Sequence, residues 1–136
     1  MFILDCSVCM AWCFEDENSQ YADAVLECLK TQTALVPQLW HLEITNVLLV
    51  AERKKRINAT ASEDFLTILQ SMNIQTDREV FSIADSKNIA LARQHQLSSY
   101  DMAYVALAQR EQLPIATNDN KLKQVVKSLN LFFETT

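Results

Sequence analysis

Leu113-Pro114-Ile115-Ala116-Thr117, followed by Asn118-Asp119, is a short apolar run that stops at a polar turn and an acid. A run of this length bounded by turn residues reads as a buried strand, and a helix over Lys121 to Ser128 follows it. The start of the chain repeats the pattern. Phe2-Ile3-Leu4 ends at Asp5, and Ser7 to Phe14 follows as a short helix before the acidic break Glu15-Asp16-Glu17-Asn18. A third instance is Ala34-Leu35-Val36 before Pro37, which opens a long helix to about Arg56 because proline suits a first helical turn. Ile74 to Thr76 reads as a brief strand and Leu131-Phe132-Phe133 as a last one. Between them lie helices over Ser19 to Lys30, with Ala22, Val25, Leu26 and Leu29 on one face, and over Asn58 to Met72. A further helix starts at Asp77 or Arg78 and runs through Ile83, Ala84, Ile89, Ala90 and Leu91 to about His95. The next, capped by Ser98 or Ser99, ends near Gln112. Strands alternating with helices predict one α/β domain over residues 1–136, with a mainly parallel four- to five-stranded sheet flanked by helices.

The chain has 136 residues, 49% of them apolar and 21% charged, with a net charge of −5. That length suits one core rather than two. The N-terminus lacks a basic region and a long apolar core, and no apolar run approaches the roughly 20 residues of a membrane span, so a cytoplasmic protein is expected. Glycine is absent, which excludes a Walker A loop, a Gly-rich dinucleotide fingerprint and a nucleophile elbow. Turns must then use Asn, Asp and Pro, and Asn58, Asn73, Asn118 and Asn130 are placed for it. Cys6, Cys9, Cys13 and Cys28 crowd the start of the chain. Cys6-x-x-Cys9 has zinc-like spacing, but a second ligand pair is missing and the only histidines are His41 and His95, so packed, reduced thiols are expected.

In an open parallel sheet, ligands bind beyond the carboxyl ends of the strands. Asp5 ends the first strand and Asp119 follows Thr117 by two residues, while Asp101 lies in the first turn of a helix. Each has a structural alternative: Asp5 and Asp119 as N-caps, and Ser98-x-x-Asp101 as a capping box. Glu43 shares the row Leu39, Glu43, Val47, Val50, where a carboxylate needs either a basic partner or a metal ion, and Asn46 stands one turn on. Oxygen ligands without His or Cys suit Mg²⁺ or Mn²⁺, which lower the pKa of a bound water and offset charge on a phosphodiester.

Ile3-Leu4-Asp5-Cys6-Ser7, Leu42-Glu43-Ile44-Thr45-Asn46, Ser98-Ser99-Tyr100-Asp101-Met102-Ala103-Tyr104 and Ala116-Thr117-Asn118-Asp119 together resemble the motifs of PIN-domain nucleases. Their order and spacing are similar to those of the bacterial VapC toxins, over nearly the whole chain. The resemblance implies a parallel-sheet α/β sandwich with Asp5, Glu43, Asp101 and Asp119 as acidic ligands of Mg²⁺ or Mn²⁺, and Ser7 and Thr117 as hydroxyls that orient ligands or water. It also implies hydrolysis of RNA to a 5′-phosphate and a 3′-hydroxyl, a homodimer, and silencing by a small antitoxin whose tail crosses the cleft. Asn120 stands where the family often has Lys after the acid.

Other features have two readings each. Arg53-Lys54-Lys55-Arg56 is a solvated helix end or a grip on RNA or on an acidic antitoxin segment. Lys121 and Lys123 are surface residues or substrate contacts. Trp12, Phe14 and Trp40 form core, interface or a base-stacking platform, and His41 and His95 are surface or packing residues. Three rival functions remain: a receiver-type phosphotransfer domain, which lacks its adjacent acids and lysine here; a non-catalytic Mg²⁺-binding module; and a nuclease acting on DNA or in RNA processing without an antitoxin.

Overall fold

The structure, a computed structural model, describes residues 1–135. Four short strands, β1 (Phe2–Leu4), β2 (Ala34–Val36), β3 (Ile74–Thr76) and β4 (Ile115–Ala116), form one parallel sheet in the order β3-β2-β1-β4. The fold is therefore the parallel α/β domain expected, at the four-stranded end of the range. Phe2, Ile3 and Leu4 are fully buried on both faces, as a central parallel strand requires, with Ile3 facing Leu35 on one side and Ile115 on the other.

Among the described residues seven helices cover the sheet: α1 (Cys6–Cys13), α2 (Gln20–Cys28), α3 (Leu39–Arg53), α4 (Ala59–Ser71), α5 (Ser86–His95), α6 (Ser99–Glu111) and α7 (Asn120–Ser128). The acidic break forms a 3₁₀ turn over Glu15–Glu17. Most helices start on a side-chain cap. The oxygens of Ser19, Asn58, Asp85, Ser98 and Asp119 accept backbone N–H groups of α2, α4, α5, α6 and α7. Because strand order reverses around β1, the crossovers leave β1 and β4 in opposite directions. The crevice this opens lies above the ends of those two strands, where Asp5 and Asp119 stand.

The sequence reading fails at three points. The helix expected from Asp77 or Arg78 begins only at Ser86. Asp77 instead continues the line of β3, its N–H donating to the Val36 carbonyl at 2.8 Å and its carboxylate taking Arg110 at 2.7 Å. Val80 and Ile83 then find nothing to bury them and stay 89% and 99% exposed. Leu131 to Phe133 forms a single bridge, Phe132 to Ile115, rather than a strand. Left-handed backbone at helix ends falls on Lys55, Gln96, Gln112 and Asn130, of which only Asn130 was expected in a turn.

Candidate functional site

Asp5 caps the end of β1 and is 6% exposed. Although it occupies the N-cap position of α1, its side chain makes no capping bond. Its Oδ2 accepts instead from Ser7 Oγ at 2.6 Å and from Thr117 Oγ1 at 2.8 Å. Each hydroxyl is held from behind: the Asn118 N–H donates to Ser7 Oγ at 2.9 Å, and the Asp119 N–H to Thr117 Oγ1 at 3.0 Å. Two hydroxyls thus tie the carboxylate after β1 to the turn after β4. Asp119 does act as an N-cap, with Oδ1 accepting from Leu122 N–H at 2.8 Å.

Asp101 stands in the first turn of α6, and Ser98 Oγ accepts its N–H at 3.1 Å. The cap runs one way, since among the described residues no bond returns from Ser98 N–H to the Asp101 carboxylate. Glu43 lies on α3, but the core-facing residues there are Trp40, Ile44, Leu48 and Ala51. The row of Leu39, Glu43 and Val47 is the half-buried edge of that face rather than its centre. No base pairs with Glu43 among the described residues; its Oε1 accepts the Tyr104 hydroxyl at 2.6 Å. Sequence reasoning missed Tyr104. A signal existed: it lies three residues after Asp101, one turn along the same helix, and a fully buried phenol needs a partner. Asn46 is exposed and bonds to none of the acids.

The acids sense one another. Burial pushes Asp5 above the ordinary carboxyl range and the Asp119 charge adds to it, against the pull of Ser7, Thr117 and the Cys6 N–H. Glu43 is raised by burial first, then by Asp5 and Asp101, while the Tyr104 hydroxyl works in the opposite sense. Asp101 is raised by burial, Asp5 and Asp119, and lowered by Lys121 and Ser98. Among the described residues no three His, Cys, Asp or Glu side chains are gathered closely enough to hold a metal ion as they stand. The donor set nevertheless fits a hard divalent cation in kind, because it is all carboxylate and hydroxyl oxygen. Cys6 and Cys9 are buried free thiols pushed upward by burial, and among the described residues no further His, Cys, Asp or Glu joins them to complete a zinc ligand set.

The remaining candidates are packed elsewhere. Trp12 Nε1 donates to the Ala22 carbonyl, Phe14 lies under the Arg56 guanidinium at 4.3 Å, and Trp40 is buried, so they make no stacking platform. Arg56 pairs with Asp16 and Glu17, and His41 bonds Thr76.

Residues 2–128 match the PIN domain family. The chain belongs to that family. The crystal structure of PAE2754 from Pyrobaculum aerophilum has a similar fold, with a TM-score of 0.67 over 94% of this chain and 92% of that one. At 21% identity the likeness is one of fold. A comparison with curated proteins finds no match. The PIN domain is a nuclease fold that usually works with a divalent cation, and in this one Asp5 and Asp119 stand beyond the ends of β1 and β4. No helix of the described PIN domain is long and apolar enough to cross a membrane.

Proposed function

We propose that this PIN domain is a Mg²⁺- or Mn²⁺-dependent endoribonuclease of the cytoplasm, and the toxin half of a VapBC-like toxin–antitoxin pair. The observation that carries the nuclease reading is the coupling of four carboxylates, Glu43 and Asp101 on helices α3 and α6 and Asp5 and Asp119 beyond the ends of β1 and β4, with Asp5 bracketed by Ser7 and Thr117. An acid raised first by burial and further by the like charge of Asp119 is an arrangement that a cation relieves. Asp5, Glu43, Asp101 and Asp119 would hold the ion, which when bound supplies an acidified water and neutralises charge on the scissile phosphate. Ser7 and Thr117 fix the Asp5 carboxylate, Tyr104 fixes one oxygen of Glu43, and Lys121 offsets charge beside Asp101. The products are a 5′-phosphate and a 3′-hydroxyl.

The toxin reading rests on the order of the four motifs and on a groove lined by Leu42 and Tyr100, the residues that precede Glu43 and Asp101. That groove, about 1380 Å³, runs between the start of α3, the 77–85 loop and α6, with Leu42, Phe81 and Tyr100 exposed along it. Apolar side chains left in water next to an acidic cleft suit a protein partner, either the small antitoxin or the second subunit of a homodimer.

The test incubates the purified chain, free of any antitoxin, with total cellular RNA and with matched DNA in Mg²⁺, Mn²⁺ or EDTA, alongside Asp5→Asn. Discrete RNA fragments that need the metal and vanish in the variant are expected. Cleavage that persists in EDTA and in Asp5→Asn, or no cleavage at all, would leave the acids as structural groups and remove the enzyme claim.

A further inference from the structure

An acidic protein that binds a polyanion must concentrate its cations locally, and the structure shows two concentrations. The run Arg53-Lys54-Lys55-Arg56 lies at the far end of α3, ten residues beyond Glu43 and so roughly 15 Å along the helix from it. Its Arg56 is also taken up by Asp16 and Glu17. The other concentration is α7, whose N-cap is Asp119 itself. From Asn120 to Phe133 the chain carries Lys121, Lys123 and Lys127 and not one acid. Among the described residues none of the three forms a salt bridge. Lys121 is close enough to the site for its charge to act on Asp101.

Lys123 and Lys127 are held in a particular way. The Lys123 ammonium lies 5.2 Å from the ring centre of Phe132 and 5.7 Å from that of Tyr21, and Lys127 lies 5.0 Å from Phe132. Tyr21 and Phe132 stack at 5.2 Å, and the Tyr21 hydroxyl donates to the Phe133 carbonyl at 2.7 Å, which fixes the platform. Aromatic faces attract the cations without neutralising them, so the ammonium N–H groups stay available for oxygen acceptors. The two lysines are one helical turn apart, about 6 Å, in the i, i+4 row that starts at the cap Asp119, whereas Lys121, two residues before Lys123, projects from the other side of α7. The N-terminus of α7, with its positive end, faces the same crevice.

We propose that the row Asp119, Lys123, Lys127 on α7 is the rail that carries the sugar-phosphate backbone of a single RNA strand out of the cleft, with Lys123 and Lys127 held ready by the Tyr21–Phe132 platform and Lys121 left beside Asp101. This rests on the nuclease reading for its choice of ligand, and contact through phosphates alone makes the rail indifferent to base sequence.

The experiment uses the full chain carrying Asp5→Asn, so that nothing is cut, and a short fluorescein-labelled single-stranded RNA of mixed sequence, followed by anisotropy from low to moderate salt. Adding Lys123→Ala and Lys127→Ala should weaken binding at least about tenfold at low salt. It should also reduce the slope of log affinity against log salt by about 1.4, the share of two phosphate contacts on a single strand. Lys123→Arg with Lys127→Arg should restore both, which excludes a folding defect, and Lys54→Ala with Lys55→Ala should change little. An unchanged slope in the alanine pair, an equal loss in the α3 pair, or no RNA binding by Asp5→Asn overturns the proposal. Tighter binding of an acidic peptide than of RNA overturns it too and assigns the lysines to a protein partner. The two readings separate cleanly. RNA bound through α7 by a chain that never cleaves leaves the rail standing and the nuclease fallen; metal-dependent cleavage with KM unmoved by the alanine pair does the reverse.

Discussion

Replacing Tyr104 by phenylalanine isolates the one contact that holds Glu43. The ring is fully buried, and phenylalanine keeps its shape, so only the hydroxyl is lost. That hydroxyl donates to Glu43 Oε1 at 2.6 Å, and a bond to an ionised acceptor contributes roughly 1.5–3 kcal/mol. Two effects oppose the loss. Glu43 is only partly buried, so water replaces the donor, and the substitution removes the cost of desolvating the phenol. The net destabilisation should be about 1 kcal/mol, or a fall in Tm of about 3–5 °C for a domain of this size. Tyr104→Ala instead empties a fully buried aromatic site and should cost about 3–5 kcal/mol. Function should respond on another scale, because partners that orient a ligating carboxylate contribute roughly 10–100-fold in metal affinity or activity. Tyr104→Phe is therefore expected to fold, to bind Mn²⁺ about tenfold more weakly by calorimetry, and to lose kcat/KM by a similar factor. Full Mn²⁺ affinity with full activity would refute the argument that this bond orients Glu43. A collapse as deep as that of Tyr104→Ala would show that the hydroxyl serves the core instead.

Asp5→Asn should abolish metal-dependent cleavage while its metal-free Tm holds or rises, since burial and Asp119 both disfavour the charge it removes; a large fall in Tm would return Asp5 to a structural role. Asp5, Glu43 and Asp101 all titrate higher in the fold than in the unfolded chain. The folded state thus binds the extra protons, and in EDTA stability should fall as pH rises from the ordinary carboxyl range, about 4, through the raised folded values. Urea midpoints for wild type minus those for Asp5→Asn should become more negative over that interval, and a difference that grows more positive with pH would contradict the burial argument. Ser62 Oγ is buried on α4 without a hydrogen-bond partner; Ser62→Ala should raise stability by about 1 kcal/mol in chemical denaturation, and a loss of that size would reveal a partner for the hydroxyl.

Much of this was legible in the sequence because it depends on local pattern. Phe2-Ile3-Leu4 and Ala34-Leu35-Val36 are apolar throughout, which suits strands buried on both faces, and Asp5 falls at the turn from the first of them into α1. The failures are all tertiary. Ile83 and Ala84 carry helical spacing, but the 77–85 segment has no surface to pack on, and Asp77 is claimed by Arg110, so the helix waits for the Asp85 cap. Glu43 reads in the sequence as a carboxylate on a core-facing stripe, but it stands on the half-buried edge of α3. Its partner lies 61 residues away on another helix, and no periodicity announces a phenol aimed at an acid.

The hydroxyl bracket around Asp5 also constrains how the charge of the site is resolved. Ser7 and Thr117 each receive a backbone N–H, which leaves each hydroxyl proton to be given to Asp5 Oδ2. That oxygen is thereby the shared acceptor of two donors, which suits the ionised carboxylate, whereas a proton on Oδ2 would have to be given to one of the two hydroxyl oxygens, 3.3 Å apart, and would displace that hydroxyl's own donation. Burial and the neighbouring Asp119 push the same group toward the neutral form. A side chain whose hydrogen bonds favour charge and whose surroundings penalise it is balanced by a nearby positive charge, and the residues bonded to it offer none. The cations that reach the cleft are Lys121 at its rim and whatever ion the carboxylates bind. The stability of Asp5 as an anion, and with it the position of the β1–β4 crevice, is then expected to depend on that ion: raising Mg²⁺ in the wild type should lift Tm, while Asp5→Asn, which keeps an acceptor oxygen but no charge, should lose most of that response. An equal Mg²⁺ response in both would place the cation away from Asp5 and break the link between the bracket and the metal.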